Sequence, residues 1–176
     1  MSMSEVRQTH FAAESREEVI SRSPFRVRRV ARWSECDPAG VVYTGNFTEY
    51  MLSATHLFRR HVFGGTWKDI RDRIGIDTPN KALSLVFNGS LWPDDVFDIE
   101  VQVGEIRNRT FDFEVAAFRA DDGSSVFTGS LSAVCVKADD RRIAAAIPES
   151  LRRQLEDSRL PHKRPPNRQT GAALPR

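Results

Sequence analysis

Asn46-Phe47-Thr48-Glu49-Tyr50-Met51-Leu52-Ser53-Ala54-Thr55-His56-Leu57-Phe58-Arg59-Arg60-His61-Val62-Phe63-Gly64-Gly65 is the stretch whose reading decides the fold. Phe47, Tyr50, Met51, Ala54, Leu57, Phe58 and Val62 recur at spacings of three and four. That spacing lines up one apolar face of an α-helix. Asn46 with Glu49 three residues on reads as a capping box at the start. Gly64-Gly65 supplies the left-handed residue that ends such a helix. A second, short helix is predicted from Trp67 to Arg73. The long helix is the most apolar helical segment in the chain, so it needs a sheet to bury it.

Upstream, Phe25, Val27, Ala31 and Trp33 alternate with Arg26, Arg28 and Arg32, a period of two that predicts a strand with one buried face. Asp37-Pro38-Ala39-Gly40 breaks it. Downstream, Leu83 to Trp92 is apolar and β-prone. Phe97, Ile99, Val101 and Val103 alternate with polar residues, as do Phe111, Phe113, Val115 and Ala117. Asp122-Gly123 is a hairpin turn, Val126 to Val136 a further strand, and Pro148 to Asp157 a closing helix. Strands joined by short turns pair antiparallel. One long helix beside a single antiparallel sheet is an α+β arrangement, with the sheet curling around the helix.

A chain of 176 residues and 19.9 kDa, 40% hydrophobic and 28% charged, is the size and composition of one globular domain. That domain is expected over residues 24–157. Residues 1–23 read as a flexible extension, with a short amphipathic helix expected from Phe11 to Ile20. Residues 158–176 read as a basic, proline-rich tail that buries no core. The net charge is +2, but Arg159, Lys163, Arg164, Arg168 and Arg176 sit in a tail without an acid, so the body itself is slightly negative. The expectation is therefore no nucleic-acid partner and a solvated tail. No apolar run reaches the ~18 residues of a membrane span, and the first residues have no signal-peptide core. Cys36 and Cys135 show neither disulfide nor zinc spacing; reduced cysteines in the cytoplasm are expected. His56 and His61 are five apart on the helix, which is wrong for a metal pair, so no metal and no cofactor are expected. Phosphate-loop, dinucleotide, zinc-protease and nucleophile-elbow motifs are all absent.

The chemistry-bearing segment is Trp33-Ser34-Glu35-Cys36-Asp37-Pro38-Ala39-Gly40-Val41-Val42-Tyr43-Thr44-Gly45-Asn46-Phe47. It holds acids, a tight turn, a short apolar piece and a helix start. A helix N-terminus offers unpaired N–H groups and partial positive charge, which can stabilise an oxyanion. A carboxylate beside it can serve as base or nucleophile. Read alone, Asp37 is also a common turn former before Pro38.

Asp-Pro-Ala-Gly-Val-Val-Tyr followed by Asn46-Phe47 and the long helix resembles the hotdog-fold acyl-CoA thioesterases, above all the 4-hydroxybenzoyl-CoA thioesterase type. Thr78-Pro79, Asp94-Asp95 and Glu105-Ile106-Arg107-Asn108-Arg109-Thr110-Phe111 follow the same layout in order, so the resemblance covers the whole body. It implies a hotdog fold and hydrolysis of an acyl-CoA thioester, with coenzyme A as part of the substrate. Asp37 becomes the catalytic carboxylate, either nucleophile or general base, and the Thr44 backbone N–H the oxyanion donor. Tyr43, Asn46, Phe47 and Tyr50 become pocket residues for an aromatic, hydroxybenzoyl-like acyl group; core packing is the plainer reading of the aromatics. Arg107, Arg109, Arg141 and Arg142 become coenzyme A phosphate contacts, or else solvated basic turns. The resemblance also implies a homodimer or a dimer of dimers, a homotetramer, with sites at the protomer interface. Trp33 and Trp92 are expected in a core or interface. Many relatives carry a His near the Thr44 position and a Glu further along the helix. This chain has Thr44 and Ser53-Ala54-Thr55, so a His-dependent mechanism is not implied. The alternatives are a lyase or dehydratase on the same fold, or a non-catalytic acyl-thioester binder.

Overall fold

The computed structural model describes residues 17–159. Strand β1 (Glu17–Arg22) turns into β2 (Phe25–Val30), and a single 3₁₀ turn (Trp33–Glu35) leads to the long helix α1 (Thr44–Phe63). Then come α2 (Trp67–Ile74), β3 (Ile76–Asp77), β4 (Asn80–Phe87), β5 (Val96–Ile106), β6 (Thr110–Arg119), β7 (Ser125–Val134), β8 (Val136–Lys137) and α3 (Glu149–Asp157). Six strands form one antiparallel sheet in the order β1-β2-β5-β6-β7-β4, and β3 pairs with β8 apart from it.

The period-two readings hold. Phe97, Ile99, Val101 and Val103 on β5, and Phe111, Phe113, Val115 and Ala117 on β6, are all buried against α1. The opposite face carries matched polar pairs in register: Arg28 with Asp98, Arg26 with Glu100, and Gln102 with Glu114. Such pairs add a few tenths of a kcal/mol to about 1 kcal/mol each, and mainly fix register.

The sheet reaches α1 along the helix's whole length. Phe47 meets Phe87 of β4 and Phe127 of β7 at centroid distances of 5.3 and 5.9 Å. Tyr50 meets Phe97 of β5 at 5.3 Å, and Phe58 meets Phe25 of β2 and Phe113 of β6 at 5.1 and 5.6 Å. At Gly129 there is no room for a side chain: an added Cβ would stand 2.6 Å from the Ser84 carbonyl oxygen of β4 and 2.8 Å from Met51 Sδ of α1. Burial of this apolar face, at about 25 cal/mol per Å², is what holds helix to sheet. At its end α1 stops at Gly64, with φ 68° and its N–H on the Arg60 carbonyl, as the glycine pair predicts.

Four expectations change. Glu17–Arg22 is a strand and not the end of a helix or a loose extension, so the ordered body begins before residue 24; residues 1–16 and 160–176 lie outside the described residues. The sequence hides this strand because it is an edge strand with no buried alternating face, held by its pairing with β2 and by Glu17 contacts to Arg29 and Ser53. Helix α1 begins at Thr44, two residues before the expected capping box, and Asn46 makes no cap. Trp33 leaves the alternating strand for the 3₁₀ turn, and it and Trp92 are solvent-exposed. Finally, β4 starts at Asn80, ends at Phe87, and is exposed on most of its length, because it is one of the two edge strands of the sheet. No helix among the described residues is long and apolar enough to cross a membrane.

Candidate active site

Between β2 and α1 the chain folds back sharply on itself. The Tyr43 N–H donates to the Glu35 carbonyl at 2.9 Å, and Cys36 and Val42 form an antiparallel bridge. The Asp37 N–H donates to the Val41 carbonyl, and the Gly40 N–H to the Asp37 carbonyl, both at 2.9 Å. Gly40 sits at φ 80°, a conformation open to glycine and costly to most others. The Val42 N–H ties the turn to the Leu91 carbonyl at 2.8 Å. Asp37 is therefore held on a braced turn whose far arm runs straight into α1.

The half-buried Asp37 carboxylate uses one oxygen locally: Oδ1 accepts the Ala39 N–H at 2.8 Å. Oδ2 has no hydrogen-bond partner among the described residues, leaving a lone pair for chemistry. The adjacent Cys36 is not a competing nucleophile. Burial first, then the charges of Glu35, Asp37 and Asp94, push its thiol up, keeping it protonated.

Helix α1 opens with Tyr43 in an extended conformation (φ −60°, ψ 134°) and without a side-chain cap. The first-turn N–H groups of Thr44 and Gly45 thus lack intrahelical acceptors, and both residues are exposed. The Tyr43 ring, 58% exposed, lies across this turn; a Cβ on Gly45 would come within 2.7 Å of its Cε1. The arrangement joins a turn carrying a carboxylate to a helix start with free backbone donors and an exposed aromatic ring. These are the parts for attack on an activated carbonyl.

The other sequence-predicted pocket residues lie behind this surface. Asn46 donates through Nδ2 to the Glu35 carbonyl at 2.6 Å. Phe47 and Tyr50 are core residues of the protomer, and the Tyr50 hydroxyl donates to Glu35 Oε2 at 2.9 Å. Of the four arginines, Arg107 is paired with Glu105 and Asp112, Arg141 with Asp77, and Arg142 with Asp140. Arg109, exposed at the β5–β6 hairpin, has no carboxylate partner among the described residues. His56 lies on α1 some twelve residues past Thr44, about 18 Å of helix. His61 stacks on Phe25 at 5.3 Å still further away. No histidine among the described residues of the protomer reaches the Asp37 turn. No group of three His, Cys, Asp or Glu suited to a metal occurs among them either.

Sequence reasoning missed the buried ionic cluster beneath the turn. Arg29, 7% exposed, donates to Glu17 and, at 2.9 Å, to Glu35, and its guanidinium lies 4.2 Å from the Tyr50 ring centroid. Glu17 also accepts the Ser53 hydroxyl. The signal was available: period two puts Arg29 on the buried face with Phe25 and Val27, and a buried guanidinium requires carboxylates.

Residues 31–155 match the sequence profile of the Thioesterase-like superfamily. Among solved structures, the chain is similar to a hypothetical protein from Aquifex aeolicus, with 26% identity, TM-score 0.65, and coverage of 75% of this chain and 99% of that one. It is similar in fold to a 1,4-dihydroxy-2-naphthoyl-CoA thioesterase from Synechocystis, with 17% identity, TM-score 0.67, and coverage of 76% and 96%. It is similar in fold also to a mutant 4-hydroxybenzoyl-CoA thioesterase complexed with 4-hydroxybenzoyl-CoA, with 20% identity, TM-score 0.66, and coverage of 80% and 99%.

Proposed function

The chain belongs to the thioesterase-like superfamily and is a thioester hydrolase of hotdog fold, and from that premise we propose that it hydrolyses an aromatic acyl-CoA at the Asp37 turn. The observation that carries this reading is the brace between that turn and the start of α1: Tyr43 N–H to Glu35, with the Cys36–Val42 bridge beside it. It ties the turn that carries Asp37, whose Oδ2 is unpartnered among the described residues, to the first turn of the helix that carries the free N–H donors.

Asp37 acts in one of two ways. As nucleophile, its oxygen adds to the thioester carbonyl, the coenzyme A thiolate leaves, and water cleaves the resulting anhydride. As general base, it takes a proton from water, whose oxygen adds directly to the thioester carbonyl, and the coenzyme A thiolate leaves as the tetrahedral intermediate collapses to the acid. In both routes negative charge builds on the carbonyl oxygen, and the Thr44 N–H receives it. Neither route uses a cofactor. An aromatic acyl group is favoured by the exposed Tyr43 ring, and the named substrates of two fold relatives are aromatic. Among the arginines, Arg109 is the first candidate for a coenzyme A phosphate, since Arg107, Arg141 and Arg142 would have to leave carboxylates.

The working unit is a homodimer, or a dimer of dimers, formed in the cytoplasm. Strand β4 supports this: it is an unpaired edge with Leu83, Val86 and Phe87 at 40%, 56% and 49% exposure. Such an edge is an aggregation hazard unless paired.

The test is thiol release from a panel of aryl and aliphatic acyl-CoAs by wild type and Asp37→Asn. The substitution keeps size and removes charge and basicity. Turnover of an aryl ester by wild type and a loss of about 100-fold or more in the variant, the scale of a lost base, is the expected result. Equal turnover would reduce Asp37 to a turn residue, and a preference for aliphatic esters would remove the aromatic assignment.

A further inference from the structure

We propose that Glu35 is the positioning residue of this active site, setting Asp37 and the Thr44 donor at a fixed separation through two different parts of one residue. The inference rests on the reading of Asp37 and Thr44 given above.

The backbone carbonyl of Glu35 accepts twice from the helix start, from Tyr43 N–H at 2.9 Å and from Asn46 Nδ2 at 2.6 Å. Those bonds hold the residue before Thr44 and the residue after Gly45. Its side chain faces the interior, 11% exposed. Oε1 accepts from Arg29 Nη2 at 2.9 Å; Oε2 accepts from Tyr50 OH and from the Arg32 N–H, each at 2.9 Å. Burial works against this charge, but the hydrogen bonds from Arg32, Arg29 and Tyr50 outweigh it and hold the carboxyl below its usual range. Only Cys36 separates Glu35 from Asp37, and Cys36 is fixed on both sides, by its N–H on the Trp33 carbonyl and by its bridge to Val42.

The five bonds join four pieces of structure at one residue: β2 through Arg29, the 3₁₀ turn through Arg32, the core of α1 through Tyr50, and the first turn of α1 through Tyr43 and Asn46. Arg29 extends the brace to β1 through Glu17, and Glu17 returns to α1 through Ser53. Glu35 meets no substrate; it acts on catalysis through the place it gives to Asp37. A misplacement of about 1 Å between reacting groups costs on the order of 10²-fold in rate.

Glu35→Gln tests this directly. An amide presents one acceptor and one donor, so either Arg29 or the Tyr50–Arg32 pair would meet an N–H₂ group. We compare kcat and KM for wild type, Glu35→Gln, Asp37→Asn and the double variant, with melting temperatures alongside. The expected result is a 10- to 100-fold loss of kcat in Glu35→Gln with KM changed less than about threefold. In the Asp37→Asn background the same substitution should cost less than about threefold more, because the separation Glu35 sets is that between the Asp37 carboxylate and the Thr44 donor, and one member of that pair is gone. An equal fold-loss in both backgrounds would assign Glu35 a general structural role, and an unchanged kcat would remove any role; either overturns the proposal. If Glu35→Gln does not fold, Asn46→Ala, which deletes only the 2.6 Å bond outside the ionic cluster, enters the same cycle with the same outcomes. Wild-type turnover by Asp37→Asn would instead refute the reading of the site itself, and is scored separately.

Discussion

Thr44→Pro isolates the proposed oxyanion donor without disturbing what surrounds it. Thr44 is the first residue of α1, where proline is tolerated because the N–H it lacks has no intrahelical acceptor. The residue before a proline must be extended, and Tyr43 already is, at φ −60° and ψ 134°. Thr44 is exposed, so the ring displaces no core atom. The helix should therefore form unchanged, while one N–H disappears. Loss of a single oxyanion donor raises the barrier by roughly 2.7–4 kcal/mol, or 10²–10³-fold in kcat. Thr44→Ala is the control: it keeps the N–H and should stay within about threefold of wild type. The assay is steady-state thiol release, with far-ultraviolet circular dichroism and a thermal melt on each variant. If Thr44→Pro melts like wild type and turns over within about threefold of it, the Thr44 N–H is not the donor. If Thr44→Ala falls as far as Thr44→Pro, the side chain and not the amide carries the effect.

Two further outcomes are expected. Leu83→Lys combined with Val86→Lys places charges on the free edge of β4; sedimentation equilibrium should fall from twice the 19.9 kDa chain mass or more to a single chain, and an unchanged mass would exclude this edge as the interface. Burial pushes the Cys135 thiol up to about 11. At pH 8, Ellman's reagent should thus leave Cys135 unreacted in native protein and label it after unfolding. The shift also stabilises the fold below the ordinary thiol range, a contribution lost as pH rises through about 11, because the unfolded chain gives up its proton first. Rapid native labelling of Cys135, followed by peptide mapping, would refute the burial.

Much of this molecule was legible in order. The three- and four-residue spacing from Phe47 to Phe58 set the helix, and the alternations at Phe97–Val103 and Phe111–Ala117 set the strands and their buried faces, because side-chain direction follows local backbone geometry. Gly64 ended α1 for the same local reason. The Asp37 turn and its connection to a helix start were legible too, as contiguous sequence. What the sequence left undecided was what each polar group would meet. Asn46 looked like a cap and became a strut to Glu35; Tyr50 looked like a pocket wall and became a buried hydroxyl donor; Arg107, Arg141 and Arg142 looked like phosphate ligands and found carboxylates. Trp33 and Trp92 looked like core or interface residues and lie on the surface of the protomer, outside its core. Glu17, Arg29 and Glu35, spread over nineteen residues, meet only when β1, β2 and the start of α1 come together. Local patterning is set by bonds and dihedrals within a few residues, so the sequence determines it directly. Partners of charged and polar side chains are set by chain segments distant in sequence, so only the packed tertiary structure could decide which carboxylate braces the site and which stays free to act.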